Sequence, residues 1–65
     1  MAAVKAMLVH VRLEHYADAF DEQGYDDLPY LMSLGADELR EVGSETGMKP
    51  GHIAKLIRML PSYSP

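Results

Sequence analysis

Three histidines, a serine near acids, and two glycines flanking Met48, Lys49 and Pro50 are the residues here whose types could do chemistry. His10, His15 and His52 offer imidazole nitrogens to a metal, but His10 and His15 stand five apart and no third ligand falls at a suitable spacing. Ser44, His52 and several carboxylates are the raw materials of a hydrolase, yet nothing along the chain holds them together as nucleophile, base and oxyanion site. The stretch from Gly47 to Gly51 lacks the G-x-x-x-x-G-K-S/T order of a phosphate loop. Cysteine is absent, which excludes disulfides and thiolate metal sites. The expectation is a chain with no catalytic residues, no metal and no cofactor.

Charge is the stronger signal. All ten acidic residues lie between Glu14 and Glu45, with Arg40 the single base among them. Lys5 and Arg12 precede that stretch, and Lys49, Lys55 and Arg58 follow it, so a net charge of −4 conceals an electrically bipolar chain. An acidic run taken alone reads as a solvated face, but here a basic segment, GMKPGHIAKLIRML at 47 to 60, offers a complement.

The elements that must position these charges are helical. Apolar residues recur at i, i+3, i+4, i+7 in Val4, Met7, Leu8, Val11, in Leu13, Tyr16, Ala17, Phe20, and in Ile53, Leu56, Ile57, Leu60, and no alternating stretch competes. The second stripe is out of phase with the first, which puts a break at His10 to Arg12. Gly24 is placed to end the second helix in a left-handed conformation. Asp26 or Asp27 caps a short helix with Pro29 in its first turn and Leu28, Leu31 and Met32 inward. A further short helix begins at Gly35, buries Ala36, Leu39 and Val42, sets Asp37 and Glu38 at its positive end, and closes at Gly43, leaving residues 44 to 49 as a turn. Pro50 then opens the last helix, where its fixed φ is already helical. Gly51 leaves room at that helix start for a carboxylate to approach the free N–H groups, which Lys49 and Lys55 reinforce.

The fold class is therefore all-α, a compact bundle of five short helices. Sixty-five residues make one small domain that buries about 60% of its unfolded surface, and no apolar run reaches the roughly 18 residues of a membrane span. We assign residues 1–60 to the domain and 61–65, PSYSP, to a linker or disordered tail. Without cysteine or a leader-like start, the cytoplasm or the nucleus is the expected location.

From about Val4 to Leu60 the chain resembles the sterile alpha motif (SAM) domain, a five-helix interaction module. The resemblance rests on LEHYADAF at 13 to 20, GYDDL at 24 to 28, Leu31 and Leu34, D-E-L-x-x-V-G at 37 to 43, and G-M-K-P-G-H-I-A-K-L at 47 to 56, in that order. Met7 stands where many relatives have Trp, and Ile53 and Ala54 stand where relatives often carry a base. The resemblance implies a non-enzymatic module, part of a larger protein, that joins itself or another SAM domain head to tail. By position, the acidic mid-loop surface comprises Tyr25, Asp26, Asp27, Tyr30, Asp37, Glu38 and Glu41. The end-helix surface comprises Lys49, Pro50, Gly51, His52, Lys55 and Arg58. Some relatives instead grip an RNA hairpin with basic residues at the start of the last helix. Here few such residues sit on a chain of negative charge, a poor footprint for phosphate or for a lipid surface.

Overall fold

A computed structural model describes residues 1–64; Pro65, the last residue of the expected tail, lies outside the described residues. Five α-helices follow one another: α1 (Ala2–His10), α2 (Ala17–Glu22), α3 (Leu28–Met32), α4 (Ala36–Glu45) and α5 (Pro50–Met59). Single 3-10 turns precede α2 (Glu14–Tyr16) and follow α5 (Leu60–Ser62). The second apolar stripe is thus split between a 3-10 turn and a six-residue helix instead of forming one helix.

Three helix ends are made alike. At α1, Arg12 N–H donates to Val9 C=O and Leu13 N–H to Leu8 C=O. At α2, Gly24 N–H donates to Asp21 C=O and Tyr25 N–H to Phe20 C=O. At α4, Gly47 N–H donates to Ser44 C=O and Met48 N–H to Gly43 C=O. This double bond pattern is the Schellman motif, and it requires a left-handed residue at its turn. Gly24 (φ 84°) and Gly47 (φ 74°) meet that requirement without strain, whereas Arg12 (φ 65°) meets it with a side chain. The break expected at His10 to Arg12 and the stop at Gly24 are both present.

Gly43, by contrast, does not close α4. The helix runs on to Glu45 and ends through Gly47. Gly43 is buried against α5, where a Cβ on it would lie 2.5 Å from Ile53 Cγ1. Its missing side chain serves helix contact, not helix termination. Ala36 is likewise exposed rather than inward, because in the first turn of α4 it precedes the face that Leu39 and Val42 bury.

The core draws on every helix: Val4, Met7 and Leu8 of α1, Val11 and Leu13 of the following turn, Tyr16 and Phe20, Leu28 and Leu31, Leu39 and Val42, Met48, Leu56 and Leu60. Short helices are marginal alone, so this shared burial is what holds them. Packing continues past residue 60, since half-buried Tyr63 lies against the core and its ring sits 5.2 Å from that of His10.

Candidate functional site

The acidic residues are held outward by their own helix starts. Asp27 is the N-cap of α3 and accepts the Tyr30 N–H at 3.3 Å, which orients the first turn and leaves Tyr30 54% exposed. Glu38 Oε1 accepts the Gly35 N–H at 3.2 Å at the start of α4. One residue earlier, Asp37 pairs with Arg40 at 2.7 Å. Asp26 and Glu41 are exposed.

Tyr25 links the loop before α3 to α4. Its ring packs edge-on to Phe20, 6.1 Å between centroids, and its hydroxyl donates to the Glu45 carboxylate. That hydrogen bond is the main reason its phenol is pushed up to about 12, with desolvation and the charges of Glu45, Tyr30 and Glu41 adding to it. Tyr25, Tyr30, Glu41 and Glu45 therefore share one neighbourhood. Glu45 is an addition to the residues expected at this surface. Its signal is present in the sequence, since it follows Glu41 by four residues, but a helix expected to end at Gly43 hides it.

At the other end, Lys49 is the N-cap of α5, Pro50 its first residue, and Gly51 and His52 complete the first turn. Lys49, Pro50, Gly51 and Arg58 are exposed, and His52 and Lys55 are half-buried. The Lys49 carbonyl accepts from both His52 N–H (2.9 Å) and Ile53 N–H (3.0 Å), and Pro50 has no N–H to offer. Among the described residues, the Gly51 N–H is thus the first-turn donor left free, with nothing within 4 Å of where its Cβ would lie. The entrance is narrower than a row of free donors.

Tyr16 fixes this entrance to the core. Its hydroxyl accepts the Lys49 N–H at 3.4 Å and is hydrogen-bonded to His52 Nδ1, and the rings of Tyr16 and His52 meet at 5.4 Å. His15 lies over Tyr16 (4.2 Å) and edge-on to His52 (5.4 Å). Tyr16 is buried, as its place on the apolar stripe implies; its second role depends on residues 33 and 36 positions away.

Among the described residues Arg40 and Asp37 form the one ion pair, and no group of three or more metal-ligating side chains is assembled. Among the described residues, Lys49, Lys55 and Arg58 have no carboxylate within 4.0 Å, nor do the mid-loop acids other than Asp37 have a base. No helix among the described residues is long and apolar enough to cross a membrane. The family model of the SAM domain (sterile alpha motif) matches residues 2–62 of the chain. Neither a curated protein nor a solved structure matches it.

Proposed function

The chain belongs to the sterile alpha motif family, in general a family of protein–protein interaction modules, and from that premise we propose that it associates head to tail. The acidic surface of Tyr25, Asp26, Asp27, Tyr30, Asp37, Glu38 and Glu41 on one molecule meets Lys49, Pro50, Gly51, His52, Lys55 and Arg58 on the next. The partner is another copy or a different SAM domain. The chain works as a non-enzymatic module of a larger cytoplasmic or nuclear protein.

One observation supports this reading: both charged sets are exposed or half-exposed and, apart from Asp37 with Arg40, have no ion-pair partner among the described residues of their own molecule. Unpaired charges of opposite sign on separate elements steer and align a partner. Because the two surfaces differ, the contact is heterologous, and its repetition gives an open chain unless the rotation closes a ring. The RNA-hairpin alternative draws on the same Lys49, His52 and Lys55, but a chain of net charge −4 offers phosphates little counterion release.

Sedimentation of the pure domain across concentration tests the reading. Wild type is expected to be monomeric when dilute and to grow with concentration. Lys55→Glu and Asp27→Lys should each stay monomeric, and a mixture of the two should pair one to one through the surfaces each retains. Assembly of either variant as in wild type would show the surfaces to be wrongly assigned. A submicromolar RNA-hairpin complex at about 150 mM salt, where non-specific binding is weak, would favour the alternative.

A further inference from the structure

The last helix presents two strips side by side. Gly51, Lys55 and Arg58 recur at i, i+4, i+7, and so do Pro50, Ala54 and Ile57 one position earlier. The second strip, with Ile53 of α5 and Arg40 of α4, lines an open hollow of about 360 Å³. No carboxylate lines it, and cations stand on both sides, Arg40 across on α4 and Lys55 and Arg58 on the neighbouring strip. Arg40 is held by Asp37 alone, in a pair whose side chains are 62% and 98% exposed. So exposed a pair is weak, and the guanidinium is free to turn toward a new partner.

A matching shape lies on α3. Tyr30 and Val9 are the large hydrophobic residues left exposed among those described. Val9 sits on a helix without any acid, with Lys5 four residues before it and Arg12 three after it, and would bring like charge to the hollow. Tyr30 instead stands three residues after Asp27, whose carboxylate accepts the Tyr30 N–H, and Asp26 lies exposed in the loop just before it, so the ring projects beside two carboxylates.

We propose that the hollow between α4 and α5 seats Tyr30 of a second copy of this chain, with Asp26 and Asp27 of that copy landing on the strip of Lys55 and Arg58. The inference rests on the head-to-tail reading and adds its anchor. The phenol ring fills apolar space lined by Pro50, Ile53, Ala54 and Ile57, and Arg40 closes over its face as a cation on a π-system. A buried tyrosine surrounded by solvent-excluding charges is the usual composition of an interface hot spot.

The test uses the two capped variants, whose mixture isolates a single contact. In it, the Lys55→Glu protein contributes its intact acidic surface and the Asp27→Lys protein its intact hollow. Adding Tyr30→Ala to the Lys55→Glu protein should weaken pairing about tenfold or more, and adding Ala54→Phe to the Asp27→Lys protein, which fills the hollow, should do the same. Adding Tyr30→Ala to the Asp27→Lys protein, where that tyrosine is not used, should change nothing. Methyl resonances of Ile53 and Ile57 in the Asp27→Lys protein should shift on pairing and stay unshifted when the added partner lacks Tyr30. If the capped pair associates equally well with and without Tyr30, the seat is wrong and the head-to-tail reading stands. If the capped pair does not associate at all, pairing between copies of this chain is refuted and the seat with it, and the head-to-tail reading is left with a different SAM domain as partner.

Discussion

Arg12 holds a backbone conformation, φ 65°, that an L-residue with a Cβ enters at a cost of roughly 1–2 kcal/mol. Glycine at the same turn avoids that cost but gains freedom in the unfolded chain, which returns part of the advantage. Arg12→Gly is therefore expected to stabilise the domain by about 0.5–1 kcal/mol, read as a rise in thermal midpoint of several degrees. A fall would show that the exposed Arg12 side chain makes a stabilising contact that outweighs its backbone strain. Tyr25 gives the second prediction at this scale. Its phenol is raised from 10.0 to about 12 by donating to Glu45, so the folded state keeps that proton to higher pH than the unfolded chain does. The contribution is complete below pH 10 and is lost as pH rises through about 12. Urea midpoints at about pH 9 and about pH 11 should fall apart more in wild type than in Tyr25→Phe; equal loss in the two proteins would refute the assignment.

The pairing of α4 with α5 turns on a glycine that does not end a helix. Gly43 lets Ile53 approach so closely that an added Cβ would lie 2.5 Å from Cγ1, 2.8 Å from Cδ1 and 3.4 Å from Cβ. Alanine would gain about 1 kcal/mol in helix propensity, but overpacking of this kind costs about 1–3 kcal/mol. So short a distance to Ile53 Cγ1 makes the steric cost outweigh the gain in propensity. Gly43→Ala should lower stability by about 1 kcal/mol net, with the loss reduced in an Ile53→Val background, where the Cδ1 contact is gone. A double-mutant cycle from chemical denaturation measures this, and additive effects would mean that α5 shifts as a body without straining at Ile53. The same contact positions the proposed seat, since Ile53 forms one wall of the hollow.

For the whole molecule, charge is expected to govern the proposed association far more than folding. The described residues contain one ion pair, exposed and three residues apart on α4, so screening has little to remove from the folded state. Between molecules the opposite holds, because attraction between exposed charges is cut once the Debye length falls below about 8 Å, the value at about 0.15 M salt. Raising salt from about 0.05 M to about 0.5 M is expected to weaken self-association several-fold while moving the thermal midpoint by only a degree or two. Sedimentation and calorimetry on the same samples would separate the two. Association that strengthens with salt would point to an apolar contact and away from the charged surfaces.

Features set within one turn of chain were legible in the sequence. A cap at Asp26 or Asp27, of which the structure uses Asp27, Pro50 as a helix opener, Gly24 as a stop and the break before Leu13 depend on hydrogen bonds and φ restrictions between near neighbours, so residue types carried them. The five-helix pattern was legible for the same reason, because helical burial follows a period carried by the side chains. What lay beyond was decided by packing at a distance. Residue types place the stop of α4 at Gly43, and only the arrival of Ile53 ten residues later shows that glycine to be a contact, the stop being made at Gly47. Glu45 joins Tyr25 across twenty residues, and the Tyr16 hydroxyl reaches Lys49 and His52 across more than thirty. The hollow beside Arg40 exists only once α4 and α5 are packed together. Local chain energetics chose the elements; close packing of side chains remote in sequence chose which residues meet.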